Sequence, residues 1–284
     1  MDTAAPLISA AELAAADPRT LLLVDCRFDL ADPAGGRREW LEGHLPGAVY
    51  ASLDEDLSDL DKATGLGRHP LPEAADLARC LGRWGWHEGL TVIAHDAAGG
   101  AMAAARLWWL MRWMGASARV LDGGLAAWRA AGGSLDDGAV VRETTRPRVR
   151  FDASRVLLTD ALRTGLDHGD LVLVDARAAP RYRGEHEPID PRAGHVPGAL
   201  NRPFADNLLA DGRWKSASTL REEWLALIGG RDPASVVHMC GSGVTACHNL
   251  LAMEQAGLHG SRLYAPSWSG WSSVAGNPVA TGDA

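Results

Sequence analysis

The stretch "VVHMCGSGVTACHNLL", residues 236–251, decides how the chain reads. A short apolar run ends in Cys240, glycines follow at 241 and 243, and a helical pattern begins near Thr245. Apolar runs of this length with branched residues suit strands buried on both faces. A strand, a glycine-rich turn and a helix in that order form one α/β unit on a mainly parallel sheet. Ligands bind such sheets at the carboxyl ends of the strands, and Cys240 stands at such an end.

The same grammar occurs earlier. "LTVIAHDAAGGAMAAARLWWLMRWMG" at 90–115 resembles "ASVVHMCGSGVTACHNLLAMEQAG" at 234–257, with Asp96 in the place of Cys240. "LLLVDCRFD" at 21–29 matches "LVLVDARAA" at 171–179, and "GHLPGAVY" at 43–50 matches "GHVPGALN" at 194–201. "RVLDGGLAAW" at 119–128 matches "RLYAPSWSGW" at 262–271. Four matches in one order indicate a duplicated domain with a period too long for a solenoid. The expected division is a first domain over 7–134, a polar linker over 135–152 and a second domain over 153–280. Ser9 with Glu12 forms a capping box for an early helix. Gly115 and Gly257 are expected to stop the helices that follow the two loops.

Composition narrows the function. The chain has 284 residues, of which 46% are apolar and 23% charged, with a formal net charge of −8. That acidity argues against general nucleic-acid binding, because nothing would displace counterions from a phosphate backbone. No apolar run is long enough to span a membrane, and the N-terminal segment does not read as a signal peptide. Cys26, Cys80, Cys240 and Cys247 form neither a disulfide framework nor paired metal-ligand spacing, which suits a reducing cytoplasm. No metal site or cofactor motif is evident. The tryptophan-rich "LWWLMRW" at 107–113, and Trp268 with Trp271, are expected to pack cores.

In "CGSGVT", glycines let backbone N–H groups converge into an anion-binding nest, and the following helix adds its positive end. Both favour a thiolate, the main requirement for a reactive cysteine. Cys247, seven residues along, is expected to be a helical bystander. Cysteine phosphatases carry a phosphate-gripping arginine six positions after the nucleophile. Here that position is Ala246, and the loop is short for a phosphate. A small cradle suits one extra sulfur atom better.

At this point the chain resembles the tandem-domain rhodanese-like sulfurtransferases over nearly its whole length. The residues that carry the resemblance are "VDCRF", "VDARAAPRYRG", both "GH.PGA" motifs, "DGGLAAW" and "CGSGVTAC". It implies two rhodanese-like domains, each a mainly parallel sheet flanked by helices, with a non-catalytic scaffold first and a catalytic domain second. The loop is similar to the mercaptopyruvate-using version. The thiosulfate-preferring version carries basic residues after the cysteine, where this chain has Gly241 and Ser242. By that resemblance Cys240 is the sulfur-carrying nucleophile, and Gly241, Gly243, Val244 and Thr245 cradle the transferred sulfur. Arg181 and Arg192 bind the donor carboxylate, the alternative for each being a surface arginine paired with Glu185, Glu187 or Asp190, and Ser242 with His44 completes a proton-handling set whose acid has only a displaced counterpart, Asp32. His195 holds the place equivalent to His44, so a turn-bracing role for both histidines competes with that reading.

The resemblance implies transfer of sulfur from 3-mercaptopyruvate, through a Cys240 persulfide, to a thiol such as thioredoxin or a small thiol, or to cyanide. A thiosulfate:cyanide sulfurtransferase is the nearest alternative. A non-catalytic persulfide carrier or regulatory module is an alternative of another class.

Overall fold

A computed structural model describes residues 5–62 and 65–283. The chain forms two compact units, one drawn from Met1–Asp59, Leu71–Asp152 and Ala210–Trp214, the other from Leu60–Pro70, Ala153–Leu209 and Lys215–Ala284. The expected linker belongs to the first unit. His44 and Asp136 form a β-bridge, Thr145 N–H donates to Gly82 O, and Phe151 stacks on Trp113 at 3.6 Å. Conversely, residues 60–70, from the first half of the sequence, belong to the second unit.

The first unit carries strands β1 (Leu7–Ile8), β2 (Leu21–Asp25), β3 (Val49–Tyr50), β4 (Thr91–His95) and β5 (Ala118–Leu121). The second carries β6 (Val156–Leu157), β7 (Val172–Asp175), β8 (Leu200–Asn201), β9 (Val236–Met239) and β10 (Arg262–Tyr264). Sheet orders are β1-β5-β4-β2-β3 and β6-β10-β9-β7-β8, with every pairing parallel. One order is the other renumbered, so the duplication read in sequence is a duplication of topology. In each sheet the strand order reverses direction beside the central strands β4 and β9, the crevice where such folds bind ligands.

Local chemistry accounts for the elements. Ser9 Oγ accepts the Glu12 N–H while Glu12 accepts the Ser9 N–H, closing the capping box on helix Ala10–Ala15. The helices Ala104–Trp113 and Ala246–Gln255 end just before Gly115 and Gly257, both left-handed. Trp108, Trp109 and Trp113 are buried along the first of these helices. Trp268 and Trp271 join the second unit's core with Leu173, Val237, Met239 and Tyr264.

The "VD.R" motifs are structural in both copies. Asp25 and Asp175 end β2 and β7, fully buried, and each accepts a forked pair of hydrogen bonds from the arginine two residues on. Arg27 also donates to Gly43 O and Arg177 to Gly194 O, tying each strand end to the glycine before the motif histidine.

His238 on β9 is fully buried against Met253 Sδ and the edge of Trp224. Burial pushes its pKa down to about 3. The unfolded chain takes up that proton below about pH 6.5, whereas the folded chain refuses it until about pH 3. This part of the stability is therefore intact above pH 6.5 and is lost as pH falls through that window. Between about pH 6.5 and pH 5 the loss is about 2 kcal/mol. Urea unfolding compared across those two pH values should show a smaller loss in His238→Asn than in the wild-type protein.

Candidate active site

The two central strands deliver equivalent loops with different occupants. In the first unit Asp96 follows β4, and its carboxylate accepts N–H groups from Ala98, Gly100, Met102, Ala103 and Ala104. Five donors on one carboxylate define an anion cradle that the chain fills with its own side chain. In the second unit Cys240 follows β9, and Gly243 N–H donates to its Sγ at 3.1 Å. The N–H groups of Gly241, Ser242, Val244 and Thr245 have no protein acceptor among the described residues. The duplicated frame is thus saturated by oxygen in one copy and holds a thiol with spare donors in the other.

The loop is pinned from the strand beside it. Cys240 N–H donates to Ser267 Oγ, Trp268 N–H to Cys240 O, and Ser269 N–H to Gly241 O. Ser267 is the one positive-φ residue other than glycine among the described residues, at φ 52°, where its first-unit counterpart is Gly124 at φ 54°. A serine in that conformation carries backbone strain, here offset by the bond that fixes the cysteine. Gly243, at φ 80°, passes so close to Ala265 O that an added Cβ would lie 2.6 Å from it. Cys247 is buried and donates to Gly243 O. Burial pushes the Cys26 and Cys80 thiols in the first unit well up, away from thiolate.

Two arginines stand over the residue after the cysteine. A Cβ on Gly241 would come within 3.0 Å of Arg68 Nη2 and 3.5 Å of Arg181 Nη1. Those two nitrogens have no protein acceptor among the described residues, while other nitrogens of both guanidinium groups are engaged by carboxylates. Arg181 donates through Nε and Nη2 to Glu187 and through Nη2 to Asp190, and Arg68 donates through Nη1 to Asp190. Glu187 and Asp190 are buried side chains. Burial would raise the Glu187 carboxyl, but hydrogen bonds from Arg181 and from the Asp190 and Ile189 N–H groups outweigh it and hold the group low. Asp190 goes the other way, raised by burial against the pull of Arg68.

The remaining expected residues fall as follows. Ser242 is buried, with its Oγ 2.8 Å from His69 Nδ1. Thr245 precedes the helix Ala246–Gln255, and Val244 is buried. Arg192 is not a ligand poised at the loop. Its guanidinium is spent on the carbonyl oxygens of Ser272, Asn277, Trp271 and Val274 at the chain's last helix.

His44 is not the residue that meets Ser242. It stacks on Trp40 and bonds Trp40 O through Nδ1, while His195 stacks on Tyr182 and bonds Tyr182 O in the same way. Both also sit in matching β-bridges, His44 with Asp136 and His195 with Ala280. Two copies doing the same thing in both units, only one of which carries the thiol, are turn braces.

Sequence reasoning missed Arg68 and His69. Their stretch, "GLGRHPLP" at 65–72, has no counterpart in the second copy and lacks periodicity. Adjacent basic residues framed by Gly67 and Pro70, in an otherwise unassigned loop, were the available signal.

The arrangement is a duplicated parallel α/β protein with a thiol in the loop after β9 and two arginine side chains beside that loop. The chain belongs to the rhodanese-like domain family, whose model matches residues 9–131 and 158–274. It is 47% identical, over 99% of its length and all of the relative's, to a Pseudomonas aeruginosa protein named as a probable 3-mercaptopyruvate sulfurtransferase. It is 41% identical, over 98% of both chains, to a Mycobacterium tuberculosis protein whose provisional name is thiosulfate sulfurtransferase SseB. The solved structure of 3-mercaptopyruvate sulfurtransferase from Leishmania major matches with a TM-score of 0.82 at 31% identity, covering 93% of this chain and 73% of that one.

Replacing Asp96 by Ala leaves five cradle N–H groups without their acceptor. Orphaned buried donors cost about 1–3 kcal/mol each before water enters, so Asp96→Ala should lower stability by at least about 3 kcal/mol. Denaturant unfolding checks this, and a loss below about 1 kcal/mol would show that the cradle does not need its carboxylate.

Proposed function

We propose that the chain is a sulfurtransferase that takes sulfur from 3-mercaptopyruvate onto Cys240 and passes it to a thiol acceptor such as thioredoxin or a small thiol. The carrying observation is the paired clamp: Arg68 Nη2 and Arg181 Nη1 lie over Gly241, each with its other side held by a buried carboxylate. A carboxylate has two oxygens and can take one donor from each guanidinium. The cysteine is followed by Gly-Ser rather than by cations, so the anion-holding charge is set off from the reacting sulfur. That offset fits a donor whose carboxylate and sulfur are separated by carbon atoms.

The thiolate of Cys240 attacks the donor sulfur, and the carbon–sulfur bond breaks toward carbon. The enolate of pyruvate leaves and takes up the proton that the donor thiol carried, which Ser242, hydrogen-bonded to His69, is placed to relay. Cys240 is left as a persulfide. Its outer sulfur is stabilised by the N–H groups of Gly241, Ser242, Val244 and Thr245, in the manner of an oxyanion hole. The acceptor thiolate then removes that sulfur and restores the cysteine, a covalent two-step cycle with ping-pong kinetics. Four free cysteines fit work in a reducing compartment such as the cytoplasm.

Parallel assays with 3-mercaptopyruvate and thiosulfate at matched concentration test the donor, and mercaptopyruvate should give the larger kcat/KM. Cys240→Ser should abolish transfer from either donor. Arg181→Ala should lower kcat/KM for mercaptopyruvate about tenfold to a hundredfold, the scale of a lost charge-assisted hydrogen bond. An unchanged value would remove Arg181 from the site.

A further inference from the structure

The carboxylate of Asp190 lies between the two guanidinium groups of the clamp. Arg68 donates to its Oδ1 and Arg181 to its Oδ2. The side chain is almost wholly buried, while those of Arg68 and Arg181 keep about a third and a fifth of their surface exposed. Asp190 therefore faces inward as a counter-charge, and the open side of the clamp is left to the free nitrogens.

The local charges can be followed residue by residue. The cations are Arg68, Arg181 and Arg177, and the anions they contact are Asp190, Glu187 and Asp175. Three positive and three negative groups leave the cluster without net charge when all are ionised. A clamp of this kind offers directed donors and no excess positive field. A monoanionic carboxylate uses the donors at little cost. A dianionic sulfonate, the form of thiosulfate, also needs a second positive charge, and the buried carboxylate cancels it.

We propose that Asp190 is a specificity-determining residue: its buried carboxylate sets the charge of the Arg68–Arg181 clamp so that it accepts a monoanionic sulfur donor and disfavours a dianionic one. The inference rests on the reading of Cys240 as the persulfide-forming residue and of the two arginines as its anion clamp. It extends that reading from how the donor is held to why one class of donor is chosen. The sequence locates the device in the segment "GEHEPIDPRAG" at 184–194 of the second copy. In the first copy the buried Arg27 is held by Asp25, and its second acidic partner is Glu39, which is more than half exposed; the loop after β4 there carries Asp96 in place of a thiol.

Each donor is balanced at the thiol. With mercaptopyruvate the Cys240 thiolate gains the sulfur, and the departing carbon keeps the bonding pair and the donor's thiol proton, giving pyruvate. With thiosulfate the thiolate gains the outer sulfur, and the sulfur–sulfur bond breaks to release sulfite with the bonding pair. The product on the enzyme is the same persulfide, so a change in donor preference reports on the clamp and not on the later transfer to acceptor.

The test measures kcat/KM for 3-mercaptopyruvate and for thiosulfate, with cyanide as the common acceptor, in the wild-type protein, Asp190→Asn and Asp190→Ser. Removing one negative charge beside the donor favours the dianion over the monoanion by about one unit charge interaction, so the thiosulfate-to-mercaptopyruvate ratio should rise about tenfold or more in both variants. An unchanged or lowered ratio, in whichever of the two variants keeps the wild-type circular dichroism spectrum, would overturn the proposal. A wild-type protein that turned over neither donor would instead overturn the underlying sulfurtransferase reading, and the two failures are thereby distinct.

Discussion

The hydrogen bond from Gly243 N–H to Cys240 Sγ is one visible donor of a backbone cradle on which the rest of the site depends. Its strength as an anion site can be read from the first unit, where the equivalent loop wraps five N–H groups around the Asp96 carboxylate. Duplication kept the frame and changed the occupant. A carboxylate saturates the cradle and makes it structural. A thiol draws on less of it and leaves N–H groups without a protein acceptor among the described residues, which on the proposed reading serve a second sulfur atom.

Around that cradle the protein spends buried polar groups to fix positions. Ser267 accepts strain to hold the Cys240 N–H, and Gly243 makes room beside Ala265 O. Arg177 secures the end of β7 while touching Glu187, which in turn orients Arg181. The path from the core to the clamp is therefore a continuous set of charge-assisted hydrogen bonds. An arginine whose one edge is held by a buried carboxylate loses little further freedom when its other edge meets a substrate, the sense in which the site is preorganised.

Much of this was legible in the sequence because it is local. Short apolar runs ending in aspartate or cysteine, glycines at fixed offsets and a repeated "GH.PGA" can each be read within a dozen residues. They gave the parallel sheets, the duplication and the place of Cys240. What could not be read depends on contacts of long range. His69 meets Ser242 across 173 residues of sequence, and Arg68 meets Asp190 across 122. Arg192 and His44 drew attention through position in a motif, yet carbonyl groups and an aromatic neighbour claim them, and no pattern of residue types announces a carbonyl partner. Cation and histidine entered the site from a segment that belongs by sequence to the first half and by packing to the second unit.

On the proposed reading, sulfur is carried on Cys240. Mass spectrometry of the wild-type protein after incubation with 3-mercaptopyruvate and no acceptor, with fragmentation to separate Cys240 from Cys247, tests it directly. One added sulfur atom should be found on Cys240 and should be removed on addition of a thiol. Sulfur found on Cys247, or a protein that turns over donor while Cys240 stays unmodified, would contradict it.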